Sequence, residues 1–254
     1  MANRLKDKVC LVTGATSGIG RATVLAFAAE GAKVVFAARR EEKGKALEEE
    51  VRANGGEAYY VQADLQKAED CKKIVDKTIE IFGRIDVLMN NAGVGTVKPF
   101  LEYDMKTDYE NVMNLNLTAY VLTCKEAIPY MIKQGAGNIV NVASLGAFTA
   151  MPLQASYAAS KGGVIQFTRT LAVEFAKNNI RANTISPGLT ITEMVPQGSD
   201  AEKLLRSIVP GLKAGTAEGV ANAAVFCASD EVPFMSGANI MIDGATSCGP
   251  CLPI

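Results

Sequence analysis

A chain of 254 residues with 26 Lys and Arg against 27 Asp and Glu carries a formal charge of −1, which argues against a nucleic-acid partner or an anionic membrane surface. It contains no histidine, so Ser-His-Asp hydrolases, Cys-His proteases, histidine zinc sites and histidine general bases are excluded together. No secretory segment and no run of ~18 apolar residues stands in it, and a cytoplasmic protein with no membrane partner is expected.

Residues 8–13 form a short β-branched and apolar run, the pattern of a buried strand. Gly14-Ala15-Thr16-Ser17-Gly18-Ile19-Gly20 follows directly and opens a helix predicted over 18–29. Glycines at this junction permit a tight turn and let amides at a helix N-terminus approach a pyrophosphate. Gly14, Thr16, Ser17, Gly18, Ile19 and Gly20 are therefore candidate nucleotide ligands. The plain alternative is an ordinary strand-to-helix turn. The Gly-x3-Gly-x-Gly spacing differs from Gly-x-Gly-x2-Gly, and without a Gly-Lys-Ser/Thr ending it is no P-loop. A second strand over 33–38 runs into Arg39 and Arg40 ahead of a helix over 41–54. An acidic residue at this strand end would bond a ribose 2′-hydroxyl; Ala38 offers no such charge, whereas Arg39 can clamp a 2′-phosphate. NADP is thus favoured over NAD. Alternatively both arginines begin a solvated helix with Glu41 and Glu42, a role that suits Arg40 better than Arg39.

A third strand over 58–62 leads to Asp64 and Leu65, a helix over 67–82, a fourth strand over 87–90 and the run Asn91-Ala92-Gly93. One long helix is predicted over 108–133, with Asn116 inside it. A strand over 138–142 delivers Ser144 just past its end, a helix over 156–178 carries Tyr157 and Lys161, and a strand over 181–186 stops at Pro187-Gly188. Residues 189–215, beginning with Thr190 and Thr192, break the rhythm with prolines and glycines and are a candidate substrate loop. A helix over 217–229, a strand over 239–242 and a tail over 245–254 complete the chain. Strand alternating with helix implies βαβ crossovers, hence an α/β, doubly wound parallel sheet of about seven strands with helices on both faces, in a single domain over 1–254.

Tyr157 and Lys161 stand four residues apart and share one helical face. A free phenol titrates near ~10, too high for proton exchange at neutral pH, and an adjacent ammonium favours the phenolate. In a chain without histidine the pair is a candidate acid–base device; a helical tyrosine beside a solvated lysine has the same spacing. Of six cysteines, Cys10, Cys71, Cys124 and Cys227 read as packed, reduced thiols. Cys248-Gly249-Pro250-Cys251 has CxxC spacing, which leaves either a reversible disulfide or a tail without redox function. No metal site is expected.

Taken in order, Thr13-Gly14-x3-Gly18-x-Gly20, Asp64, Asn90-Asn91-Ala92-Gly93, Asn116, Ser144, Tyr157-x3-Lys161 and Pro187-Gly188 closely resemble the motifs of the single-domain branch of the short-chain dehydrogenase/reductase family, over about Lys8 to Gly244. The resemblance implies a Rossmann-type sheet, with Asp64 and Leu65 beside an adenine. Asn91, Ala92 and Gly93 would support the nucleotide site, Pro187 and Gly188 would lie near a nicotinamide, and Thr192 at its carboxamide. It also implies that Lys161 bonds the nicotinamide ribose, that Asn116 holds a water linking Lys161 to solvent, and that the helices over 108–133 and 156–178 pair between subunits of a homotetramer. Thr190 departs from the family's usual aliphatic residue. Lys213 stands near a position where arginine is common, keeping charge without planar bidentate bonding.

The expected chemistry is interconversion of a secondary alcohol and a ketone. Ser144 would bond the carbonyl oxygen and Tyr157 would give up or take the proton, with NADP(H) carrying the hydride. Segments 94–100, 145–153 and 189–194 are rich in Val, Leu, Phe and Met and nearly free of charge. Such walls suit a small lipophilic substrate such as a hydroxysteroid, and equally ordinary packing. The connection 131–138 is less basic than docking of an acidic acyl carrier would favour, which places a 3-oxoacyl-acyl-carrier-protein reductase second. A third reading is a non-catalytic NADP(H)-binding redox sensor switched by Cys248 and Cys251.

Overall fold

The computed structural model describes residues 3–249. Each expected strand forms: β1 (Val9–Thr13), β2 (Lys33–Ala38), β3 (Glu57–Gln62), β4 (Val87–Asn90), β5 (Gly137–Val142), β6 (Ile180–Pro187) and β7 (Asn239–Ile242). They pair in parallel in the order β3-β2-β1-β4-β5-β6-β7. The helices are α1 (Gly18–Ala29), α2 (Glu41–Ala53), α3 (Ala68–Phe82), α4 (Ala119–Gln134), α5 (Ala155–Glu174), α6 (Asp200–Ser207) and α7 (Ala217–Ala228).

Strand residues alternate between two cores because successive side chains leave opposite faces of a sheet. Leu11, Val35, Leu88 and Ile139 enter one core with Ile74 of α3 and Ala127 and Met131 of α4. Cys10, Val12, Val34, Phe36, Met89 and Val140 enter the other with Val24 and Phe27 of α1, Leu47 of α2 and Val225 of α7. With both faces covered, these strands are continuous apolar runs, which is why they were readable without polar alternation.

The segment 108–133 is not one regular helix. Met105–Glu110 and Asn114–Thr118 are π-helical, with a short α-turn between them, before α4 begins. A π-turn widens the helix and re-aims a side chain, and here it turns Asn116 fully inward. Its amide donates to Val94 O at 2.9 Å and Ser160 Oγ at 3.1 Å, while its oxygen accepts from Val94 N at 2.9 Å. On the α4–α5 face a polar chain crosses the sheet: Thr123 Oγ1 donates to Asn90 Oδ1 at 2.7 Å, Asn90 Nδ2 to Asn141 Oδ1 at 2.9 Å and Asn141 Nδ2 to Thr168 Oγ1 at 2.8 Å. It ties β4 and β5 to α4 and α5.

The loop expected over 189–215 contains α6, capped by Ser199, whose hydroxyl accepts from Glu202 N at 3.1 Å. Thr190–Ile191 pairs in parallel with Gly215–Thr216, pinning the two ends of the loop together.

Candidate active site

Strand order reverses between β1 and β4, and the crevice this leaves lies at the carboxyl ends of the strands. The chain leaves β1 through Gly14 at φ +65°, a left-handed conformation that glycine adopts without penalty; a Cβ there would lie 2.6 Å from Ala92 Cα. Gly20 is required for closeness instead, since a Cβ would lie 2.3 Å from Gly14 O. Asn91 locks the turn, its amide donating to Thr13 O at 3.0 Å and Gly14 O at 3.1 Å, while the backbone amides of Asn91 and Ala92 share Thr13 Oγ1. Ser17 caps α1 without a side-chain bond, so no hydroxyl occupies its first-turn amides. A glycine cradle with unclaimed amides at a helix N-terminus fits the pyrophosphate of a dinucleotide.

The crevice encloses a cavity of about 770 Å³. Gly14, Thr16, Ser17, Gly18 and Ile19 line its nucleotide end with Arg39, Arg40, Asp64, Leu65, Asn91, Ala92 and Gly93. Ser144, Tyr157, Lys161, Pro187, Gly188, Thr190 and Thr192 line the other end. Two candidates stand behind the wall: Gly20 beneath the turn, and Asn116, whose oxygen would lie 3.2 Å from a Cβ on Gly93. Asp64 Oδ1 accepts from Gln66 N at 3.3 Å. Thr190 is buried and donates to Gly188 O at 3.2 Å, and Thr192 Oγ1 accepts from Met194 N at 3.2 Å.

Ser144, Tyr157 and Lys161 converge from two elements. Ser144 follows β5 and caps a short turn, its oxygen accepting from Gly146 N at 3.1 Å. Tyr157 and Lys161 lie in the first turns of α5, and the phenol lines the same end of the cavity as Ser144. Lys161 is buried and donates to Val142 O at 2.8 Å. Burial pushes the Tyr157 phenol up, opposed by the neighbouring Ser144 hydroxyl, and draws the Lys161 ammonium down to about 7. The expected lowering of the phenol by its cationic neighbour is therefore outweighed, because desolvation disfavours the charged form of both groups. At neutral pH this geometry holds a protonated phenol, the form that can donate.

Arg40 differs from the expectation of plain surface charge. It donates to Glu193 Oε2 at 2.8 Å and toward Thr16 Oγ1 at 3.4 Å, and Lys43 donates to Glu193 Oε1 at 2.7 Å. Lys43 and Arg40 hold the Glu193 carboxyl down at about 2. Arg39 faces the same cavity without a side-chain partner among the described residues.

A family model described as short chain dehydrogenase matches residues 8–203. The chain belongs to the short-chain dehydrogenase/reductase family. It is 41% identical over 244 residues to a 3-oxoacyl-acyl-carrier-protein reductase of Thermotoga maritima, covering 95% of this chain and 98% of that one. It is 38% identical over 245 residues to an A-factor type gamma-butyrolactone 1'-reductase of Streptomyces virginiae, covering 94% and 95%. A crystal structure described as a short-chain dehydrogenase/reductase of Burkholderia xenovorans superposes with a TM-score of 0.90 at 37% identity, over 97% and 98% of the two chains. As a member of this family the protein is an oxidoreductase acting on alcohol- or ketone-type substrates with a nicotinamide cofactor.

In this short-chain dehydrogenase the substrate end of the cavity is walled by Val94, Val97, Leu145, Met151, Leu189 and Met194 of the expected wall segments, by Leu205, Ile208 and Val209 around α6 in the expected substrate loop, and by Gln154, which lies outside both. Ser199-Asp200-Ala201-Glu202 is a capping signature that could have announced α6. Phe100 and Leu153, expected in the wall, are outside it and exposed, because the chain has already left the crevice at those points. The segment 131–138 runs from the last turn of α4 into the first residues of β5, at the amino edge of the sheet and opposite the cavity. Its charge therefore does not discriminate among substrates of this pocket. Cys10, Cys71, Cys124 and Cys227 are buried thiols, with burial pushing Cys71 up to about 11 and Cys124 and Cys227 to about 12. Cys251 lies outside the described residues, and with it the expected CxxC pair. Among the described residues no helix is long and apolar enough to cross a membrane, and no three His, Cys, Asp or Glu side chains cluster as a metal site.

Proposed function

We propose that this chain, acting as one domain, is an NADP(H)-dependent oxidoreductase that interconverts a lipophilic secondary alcohol and its ketone, a ring ketone of the hydroxysteroid kind fitting the walls. The observation that carries the reading is the convergence of Ser144, Tyr157 and Lys161 on one end of a cavity whose other end is a glycine cradle flanked by Arg39 and Arg40. When bound, the nicotinamide supplies or accepts the hydride, and the protein manages the proton. Ser144 donates to the carbonyl oxygen, and Tyr157 passes its proton to that oxygen as negative charge builds there. In the reverse direction the Tyr157 phenolate takes the alcohol proton. Lys161 holds positive charge beside the phenol and bonds the ribose, while Asn116 bonds Val94 after β4 and Ser160 next to Lys161 on α5.

The exposed Arg39, lining the cavity just past β2, and the lack of an acidic side chain at the strand-end position Ala38 favour a cofactor bearing a 2′-phosphate, for which Arg40 would exchange its bond to Glu193. Val94, Val97, Met151, Met194, Leu205 and Ile208 favour an apolar substrate, with Gln154 the one neutral amide among them. Reduction of a 3-oxoacyl-acyl-carrier thioester is the second reading, favoured by the 41% identity to a reductase of that name. The deciding experiment follows NADPH and NADH absorbance against steroid ketones, 3-oxoacyl thioester mimics and small cyclic ketones. Preference for thioesters would replace the first substrate class by the second, and an NADH preference would remove the NADP assignment. Tyr157→Phe should lower turnover by about 10²–10⁴-fold with cofactor affinity nearly unchanged; persistence of turnover would overturn the acid–base assignment.

A further inference from the structure

Lys161 turns its ammonium toward β5, where a second phenol meets it. Tyr120, in the first turn of α4, is 1% exposed. Lys161 Nζ donates to the Tyr120 hydroxyl at 3.4 Å, and that hydroxyl donates to Val142 O, also at 3.4 Å. The ammonium stands 5.2 Å from the Tyr120 ring centroid and 6.0 Å from that of Tyr157, both within reach of cation–π attraction. Among the described residues Lys161 has no ion-pair partner. The titratable groups facing it are Tyr157 on its own helix and Tyr120 from α4, with Cys124 beyond Tyr120; Asn116 lies nearby as a neutral amide.

An ammonium buried without a counter-charge depends on whatever neutral acceptors and ring faces surround it. The Tyr120 ring packs among Ala143, Val164 and Ile165, a setting that would accept phenylalanine. A buried hydroxyl there costs desolvation, offset by its contacts with Lys161 and Val142. We propose that Tyr120 is a positioning residue for the reaction: its hydroxyl and ring hold the Lys161 ammonium between two phenols, on the carbonyl of Val142. The proposal rests on the assignment of Tyr157 and Lys161 as the proton-handling pair. Both 3.4 Å bonds are longer than the usual range, so Val142 O anchors the ammonium while Tyr120 steers it and favours its charged form. Burial already draws Lys161 down to about 7, where a small bias from one neighbour changes how much of the cation is present.

The test is an NMR titration of the full chain labelled at lysine Cε, with the Lys161 signal assigned by its loss in Lys161→Met. In Tyr120→Phe, which keeps the ring, the Lys161 midpoint should fall by about half a pH unit or more, since the charged form has lost an acceptor. In Tyr120→Leu, which removes ring and hydroxyl, it should fall further; this variant also decides the matter should Tyr120→Phe not fold. Midpoints unchanged from wild type, or shifted upward, would overturn the proposal and leave Tyr120 as core packing. That outcome is independent of whether Tyr157→Phe abolishes turnover, so failure of this inference and failure of the functional reading are separately visible.

Discussion

Lys161 is a residue whose place in the fold works against stability. Its folded value of about 7 lies below its ordinary 10.5, so the unfolded chain binds more protons between those values and stability rises with pH across that window. Below about 7 the burden is fully present. Lys161→Met should therefore unfold at higher denaturant than wild type at pH 6, and the rise of wild-type stability between pH 7 and 10 should flatten in the variant; urea melts at several pH values measure both. Arg39 and Arg40 argue the other way, from function. Each carries a charge toward the end of the cavity where a 2′-phosphate would lie, and truncating either to Ala should weaken NADPH binding by roughly 10-fold or more, with little change for NADH, in a fluorescence titration. At this scale the sequence was legible where a motif named a residue and illegible where a contact came from afar. Nothing in the spacing of Tyr120 or Glu193 announces that one meets Lys161, 41 positions away, or that the other meets Arg40, 153 positions away.

At the scale of elements, β-strands buried on both faces declare themselves by apolar runs, and all seven appeared within a residue or so of their expected bounds. The helical turns over 105–118, just ahead of α4, did not, because apolar periodicity cannot distinguish an α-turn from a π-turn when both present the same side to the core. That distinction places Asn116 inside and lets it tie the chain after β4 to α5. The polar chain Thr123–Asn90–Asn141–Thr168 was equally hidden, since an asparagine in a strand reads the same whether it is solvated or bonded across the sheet. Replacing Asn141 by Leu strips Asn90 Nδ2 of its carbonyl acceptor and should cost about 1–3 kcal/mol in chemical unfolding. The double replacement with Asn90→Leu should cost less than the sum of the two single ones, because it removes both stranded partners together.

At the scale of the whole molecule, Leu101 is 96% exposed, Val173 81% and Phe234 100%. The homotetramer expected from the family resemblance predicts that sedimentation of the wild type gives a single species larger than one chain, and that Val173→Glu on α5 shifts it toward smaller ones. Glu193 has a different reach. It belongs to the loop that closes the substrate end, yet its carboxylate is moored to Arg40 and Lys43 beside the nucleotide end. A cofactor bearing a 2′-phosphate would compete for those moorings, whereas one with a bare ribose would leave them in place. Trypsin should therefore cut at Lys203 or Arg206 faster with saturating NADPH than with saturating NADH. Cofactor identity would then be felt as timing: the two nicotinamide cofactors would release product at different rates from one pocket, because each leaves the door over it hung on a different number of hinges.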